Sequence, residues 1–410
     1  MSHQYYDRLL IDTWYTGSDQ LRIDAYNQAH AWYSKNPVPK QDVERIYKNI
    51  EFYPKPSYNK TIAIYCVQGF QWDTGTAGLN GSEEAVVYLS RELALLGYKI
   101  FVFSNPPQDS SDRIQFSNPQ FMYVSEFPKD NVNFDILIIW RQYDKNELAK
   151  CANKTYIWPH DMLTPNNLHK DNLKNIDGIL WLSHFQHFDA LINCPDIIKF
   201  ELEKGFSIYG NGIVTQQFTE RPKKSKSCIY ASNYVRGLEM LLMVWPDIKK
   251  EVPEATLNIY YGWVTWSSHP DITRAITHIK QMLIELKDQG VSEHGSVDHL
   301  TLANAFAESE YWLYPCTYPE SYCITAIKAQ QAKCIPVYFN YGALKETVKT
   351  GYACNNLFDL KEYTTLAINA IKGDYNEQNE KFKVIREMFL KEHTWSKVAE
   401  RWNNTFTGSQ

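Results

Sequence analysis

From residue 60 onward, short apolar runs alternate with longer stretches in which apolar residues recur at helical spacing, and this alternation constrains the fold more than any other feature. The runs are TIAIYCV, KIFVFS, FDILIIW, TYIWP, GILWLS and FSIYGNG, with helical patterns in SEEAVVYLSRELALLG and HFQHFDALIN between them. Strands that are apolar along their whole length are covered on both faces, and the intervening helices supply the covers and crossovers of a parallel sheet. After residue 221 the pattern restarts with SCIYAS, GLEMLLMVWPDIKKEV, TLNIYYGW and DITRAITHIKQMLIELKDQG. It continues through a short strand into VSEHGSV, then VDHLTLANAFAES, YWLYP, YCITAIKAQQA, IPVYF and LKETVKTG. The expected class is therefore α/β, with two doubly wound Rossmann-like halves. Ligands of such sheets bind at the carboxyl ends of the strands, so two halves imply a cleft between them.

The flanks read differently. Residues 1–58 carry helical spacing in YYDRLLIDTWY and LRIDAYNQAHAWY and end in a Pro-bounded stop, which predicts a helical N-terminal extension. HTWSKVAERWNNTF predicts an amphipathic helix that packs back on the first half. The expected units are 1–58, 59–220, 221–388 and 389–410, and a length of 410 residues suits two cores better than one.

Composition narrows the function. No run approaches the roughly 18 apolar residues of a membrane-spanning helix. The start, MSHQYYDRLLIDTWYTG, lacks the order of a secretory signal, so a cytoplasmic location is expected. Eight cysteines without a CxxC pair, several inside strand-like runs, argue for buried thiols rather than disulfides or zinc. A net charge of −5 gives no global attraction to nucleic acid, and the basic run ERPKKSKS at 220–227 reads as a solvated connection. The 12 Trp and 28 Tyr suit either large cores or stacking on sugars.

Candidate site residues cluster after strands. GTAGLNGSEEAVVYL brings Gly75, Gly78 and Gly81 to a helix start, where backbone can approach a ligand and free amides can hold an anion. The spacing departs from GxGxxG, which disfavours a nicotinamide enzyme. YIWPHDML places His160 and Asp161 at a strand end. YASNYVRGLEMLL puts Arg236 at a helix-opening turn, where a guanidinium holds phosphate bidentately. In WLYPCTYPESYCITAIKAQ, Glu320 follows a strand, and Ser321 to Thr325 are expected to form the first helical turn, its amides facing the cleft. A diphosphate met there by amides and Arg236 needs no metal, and the chain has no DxD. Glu320 and Lys328 are eight residues apart, about 12 Å along a helix, enough to span a sugar, a diphosphate and a ribose.

In this order, NGSEE, PHDM, YGNG, RGLEMLL, PEATLNIYYGW, HGSV and the segment from Glu320 to Lys328 resemble the GT-B glycosyltransferases, specifically the retaining glycosyltransferase family 4 type. The resemblance covers about residues 60–405. It implies a metal-independent transfer of a hexose from a nucleotide-diphosphate sugar, GDP-mannose or UDP-glucose, to a glycan, glycoprotein or other acceptor hydroxyl, with no further cofactor. Glu320 would hold donor-sugar hydroxyls, Arg236 the leaving diphosphate, and His160 the sugar near the reaction centre. Ser321, Tyr322 and Cys323 would give amides to the sugar, and Ile324 and Thr325 to the phosphates. Gly81 and Ser82 would approach from the first half, while Gly262, Trp263 and His294 would face the base. Lys328 stands where the family has a second Glu that accepts from both ribose hydroxyls, and an ammonium has donors alone. That departure leaves room for a nucleotide- or glycan-binding protein without catalysis, or for a nucleotide-sugar epimerase.

Overall fold

A computed structural model describes residues 58, 60–67, 71–76, 78–113, 117–165, 167–263 and 270–408. The expected helical extension at 1–58 lies, but for Tyr58, outside these residues. The first half is built on β1 (Lys60–Tyr65), β2 (Tyr98–Phe103), β3 (Gln120–Met122), β4 (Phe134–Trp140), β5 (Ala152–Trp158), β6 (Gly178–Trp181) and β7 (Ser207–Ile208). Its helices are α1 (Gly81–Leu95), α2 (His184–Asn193) and α3 (Asp196–Lys204). The second half carries β8 (Lys224–Ala231), β9 (Thr256–Tyr260), β10 (Val291–Glu293), β11 (Ser309–Tyr314), β12 (Ile335–Phe339) and β13 (Tyr352–Cys354). Around them lie α4 (Leu238–Glu251), α5 (Pro270–Glu285), α6 (His299–Glu308), α7 (Ile324–Gln331), α8 (Leu344–Thr347), α9 (Leu360–Lys372), α10 (Tyr375–Lys391) and α11 (Trp395–Thr407).

The seven-stranded sheet runs β3-β2-β1-β4-β5-β6-β7 and the six-stranded sheet β10-β9-β8-β11-β12-β13. Neighbours pair in parallel, as β1 with β4 and β8 with β11. Strand order reverses between β1 and β4 and again between β8 and β11, and a doubly wound sheet opens its crevice at such a switch point. Alternation of side chains explains the burial on both faces. Ile62, Ile64, Ile136 and Ile138 enter one core of the first half, while Ala63, Tyr65, Leu137 and Ile139 enter the other. The last helix, α11, joins the first of these cores through Trp395, Val398, Ala399, Trp402 and Phe406, with the Trp402 ring 4.8 Å edge-on from Trp158.

Four local expectations change. The basic run at 220–227 is a solvated connection only in part: Glu220, Arg221 and Pro222 are exposed and outside any strand, whereas Lys224–Ser227 open β8. Within it, Lys223 Nζ donates to the carbonyls of Phe306, Ser309 and Ala332 at 3.2, 2.6 and 2.7 Å. Two of these lie at helix C-termini, where unsatisfied carbonyls attract a cation. LKETVKTG forms four helical residues rather than a full helix. Helix α7 starts at Ile324, not Ser321, so Glu320 to Tyr322 are loop and Cys323 is the cap. The 12 Å helical span between Glu320 and Lys328 therefore does not hold. All eight cysteines are buried and unpaired, and among the described residues no helix is long and apolar enough to cross a membrane.

Candidate active site

A cleft of about 260 Å³ opens at the two switch points and is lined by both halves. The loop and first turn from Gly78 to Glu84 form one wall, and the start of α7 forms the opposite one. The approach is close: a Cβ on Gly78, whose φ is +68°, would lie 2.9 Å from Ser296 Oγ. Tyr261 donates its hydroxyl to Asn80 Oδ1 at 3.1 Å, and Ser183 Oγ donates to Ser321 O at 2.7 Å.

In the second half, Arg236 Nη1 donates to both oxygens of Glu320, at 3.1 and 3.0 Å. Tyr314, at the end of β11, adds its hydroxyl to Glu320 Oε1 at 2.7 Å, and the Tyr318 ring lies 4.4 Å from the guanidinium carbon. Burial would lower the Arg236 pKa, but Glu320 and its neighbours outweigh that and hold it above its ordinary value. With Nη1 on Glu320, Nε and Nη2 remain to meet a phosphate in the fork geometry that guanidinium offers. The amides of Ile324 and Thr325 head the adjacent α7, an anion-favouring helix start.

In the first half, Arg141 follows β4 directly with φ +60°. Its Nε and Nη2 donate to Asp161 at 2.7 and 2.9 Å, and Nη1 stands 4.0 Å from Glu83. Burial raises the Glu83 carboxyl, and its Oε2 has no hydrogen-bond partner. His160 is edge-on to Trp158 at 4.5 Å and to Trp140 at 5.6 Å, its Nε2 unpaired. Burial first, and the Arg141 charge second, push its pKa well below 6.5. The imidazole is thus neutral, and can accept or donate a hydrogen bond to a hydroxyl.

Lys328 points across the cleft. Its Nζ donates to Glu84 Oε2 at 2.7 Å, with both side chains more than nine-tenths buried, and His299 Nδ1 lies 3.6 Å from Glu84 Oε1. Burial alone would raise the Glu84 carboxyl, but Lys328 and His299 hold it down at about 2.

Of the sequence candidates, Gly81, Ser82, His160, Arg236 and the residues from Glu320 to Thr325, with Lys328, line one cleft. Gly262 and Trp263 do not; they border a separate shallow depression with Tyr234 and Ile276. His294 is exposed and reaches the cleft indirectly, stacked 4.6 Å from the Tyr260 ring that lines it. These three do not line the cleft: β9 ends at Tyr260, and Tyr260 and Tyr261 rather than the residues after them face inward. The sequence assigns no site role to Glu83, Glu84, Arg141, Tyr261 or His299, although NGSEE holds the first two and LNIYYGW holds Tyr261. Arg141 carried a signal, a charge directly after an apolar strand; Glu84 and His299 carried none without knowledge of which helices meet.

No protein-family model and no curated protein sequence matches this chain. Solved structures do. A sucrose-phosphate synthase from Thermosynechococcus elongatus is similar at TM-score 0.66 and 16% identity, over 85% of this chain and 99% of that one. A glycosyltransferase from Rickettsia africae ESF-5 is similar at 0.65 and 15%, over 86% and 99%. HepE from Anabaena, in complex with UDP-glucose, is similar at 0.64 and 11%, over 85% and 100%. At these identities the likeness is one of architecture: two Rossmann-like domains facing across a cleft, the GT-B fold.

Proposed function

We propose that this chain is a glycosyltransferase that moves a hexose from a nucleotide-diphosphate sugar to an acceptor hydroxyl, with retention at the anomeric carbon and without a metal. The observation that carries the reading is the Arg236 and Glu320 pair beside the start of α7, facing the cleft of a GT-B fold. Transfer must stabilise an oxocarbenium-like sugar and a departing diphosphate, and fixed donors aimed at that charge are the largest contribution a protein makes. Arg236 and the α7 amides meet the diphosphate, Glu320 meets sugar hydroxyls, and neutral His160 with Glu83 and Arg141 faces the sugar and acceptor from the first half. The HepE structure holds UDP-glucose, which makes UDP-sugars the first donors to try, with GDP-mannose next.

The test is release of nucleotide from a panel of nucleotide sugars, with and without glycan acceptors and with a chelator present. Turnover that survives chelation, with a product of unchanged anomeric configuration by NMR, supports the reading. Arg236→Ala removes a charge-assisted contact of about 1.5 to 3 kcal/mol and is expected to slow turnover roughly 10- to 150-fold. Glu320→Gln should also slow it with the fold intact. Nucleotide binding without turnover of any donor would instead favour a non-catalytic binding protein.

A further inference from the structure

Arg141 and Asp161 form an ion pair with an open side. Arg141 follows β4 with φ +60°, a left-handed backbone that a residue with a side chain holds only under constraint, and such strain gathers where a side chain must be aimed. Its Nε and Nη2 are taken by the two oxygens of Asp161, and the guanidinium carbon lies 5.2 Å from the Trp140 ring. Nη1 is left over: among the described residues it has no hydrogen-bond partner, and Glu83 Oε1 at 4.0 Å is too far to be one. This pair can be reached, because the two side chains are 21% and 43% exposed and both line the cleft.

The surroundings restrict what can be met there. Nη1 offers N–H donors, and each Asp161 oxygen accepts one bond and keeps a lone pair. Donors beside acceptors suit two adjacent hydroxyls, one accepting from Arg141 and the other donating to Asp161. A phosphate or carboxylate is poorly served. The fork of the guanidinium is already closed by Asp161, Glu83 adds a second carboxyl near Nη1, and His160 is neutral. The other Arg and Lys side chains that line the cleft, Arg236 and Lys328, belong to the second half and are held by Glu320 and Glu84.

Position puts the pair on the side away from the donor diphosphate. It stands in the first half, and its charge reaches across the cleft: burial chiefly raises the Tyr318 hydroxyl pKa, and the Asp161 carboxylate adds to that. The Tyr318 ring in turn lies 4.4 Å from the Arg236 guanidinium carbon. A sugar held by Arg141 and Asp161 would therefore face the bond that transfer breaks.

We propose that Arg141 and Asp161 form an acceptor subsite that reads two adjacent hydroxyls of an uncharged sugar, so that neutral glycans are glycosylated and acceptors bearing a phosphate or carboxylate at this place are rejected. The inference rests on the nucleotide-sugar reading above and supplies the acceptor class that reading leaves open. Asp161 then has two tasks: it takes a hydroxyl proton, and it closes the Arg141 fork against anions.

Acceptor competition with the full chain tests this. UDP-glucose or GDP-mannose, whichever turns over, is supplied with matched acceptors: glucose, mannose and galactose, each against its 6-phosphate, and methyl glucoside against methyl glucuronide. At least one neutral member is expected to show a kcat/KM about 10- to 150-fold above its acidic partner, the worth of a hydrogen bond to a charged group. Asp161→Asn keeps the shape but frees the Arg141 charge, so that ratio should shrink to within about threefold. Arg141→Gln should raise the acceptor KM about tenfold or more while calorimetric affinity for UDP stays within about threefold, a split that a purely structural ion pair would not give. Acidic acceptors that match or exceed neutral ones in the wild type overturn the proposal. So does an unchanged ratio in Asp161→Asn, or donor hydrolysis that no neutral acceptor accelerates. If no nucleotide sugar is hydrolysed or transferred at all, the nucleotide-sugar reading itself has failed.

Discussion

His160 and Glu84 make the stability of this protein depend on pH from opposite kinds of titration but in one direction. His160 is held neutral, its pKa pushed well below 6.5 by burial and then by Arg141, and burial lowers His393 as well. Below pH 6.5 the unfolded chain binds protons that these folded imidazoles refuse. Their contribution is complete above that value and is lost as pH falls toward the folded pKa. Glu84 is held at about 2 against an ordinary 4.5, so its contribution is present above 4.5 and lost between there and about 2. Thermal melts from pH 7.5 to 3 should therefore fall in two windows. His160→Gln should flatten part of the upper window and Glu84→Gln the lower. A wild-type melting temperature that stays level between pH 7 and 5 would contradict a neutral His160.

Arg236 depends on the turn that carries it. Gly237 has φ +110°, and a Cβ there would lie 2.3 Å from Pro315 O, at the end of β11. Left-handed backbone alone costs a residue with a side chain about 1 to 3 kcal/mol, and the clash with backbone adds to it. Gly237→Ala should lower the melting temperature and also displace Arg236 from Glu320, so turnover should fall further than stability explains. If activity is kept at temperatures where the variant is folded, the turn does not position Arg236. The same elements show what sequence can disclose. FDILIIW announced β4 because a strand covered on both faces is apolar throughout. FSIYGNG predicted a strand of which two residues pair, since β7 is an edge strand with one neighbour. The start of α7 was misplaced because Ser321 and Tyr322 are held by the other half, through Ser321 Oγ to His160 O and Tyr322 hydroxyl to Asn211 O. Likewise, the partner of Lys328 lies 244 residues away, and no local pattern points to it.

Across the whole molecule, the two halves meet through several side-chain contacts around the cleft. Glu346, on α8, accepts from the backbone amides of His184 at 2.9 Å and Phe185 at 2.7 Å, at the start of α2 in the other half. Ser183 caps the same helix by accepting from Gln186. A carboxylate at a helix start satisfies orphan amides and complements the helix dipole, a contact of about 0.5 to 2 kcal/mol. Unlike Glu84 and Lys328, Glu346 does not line the cleft. Glu346→Ala should thus favour separation without touching the chemistry. Apparent donor affinity falls in proportion to the fraction of closed molecules, so the donor KM should rise several-fold as the closed population shrinks. Small-angle scattering should report a larger radius of gyration for the variant in the absence of donor. Saturating donor should close most of the difference, because ligand binding energy then supplies what the missing contact did. A variant with wild-type KM and wild-type scattering would show that α2 and α8 touch without holding the halves together, leaving the Glu84 and Lys328 bridge as the contact to test next.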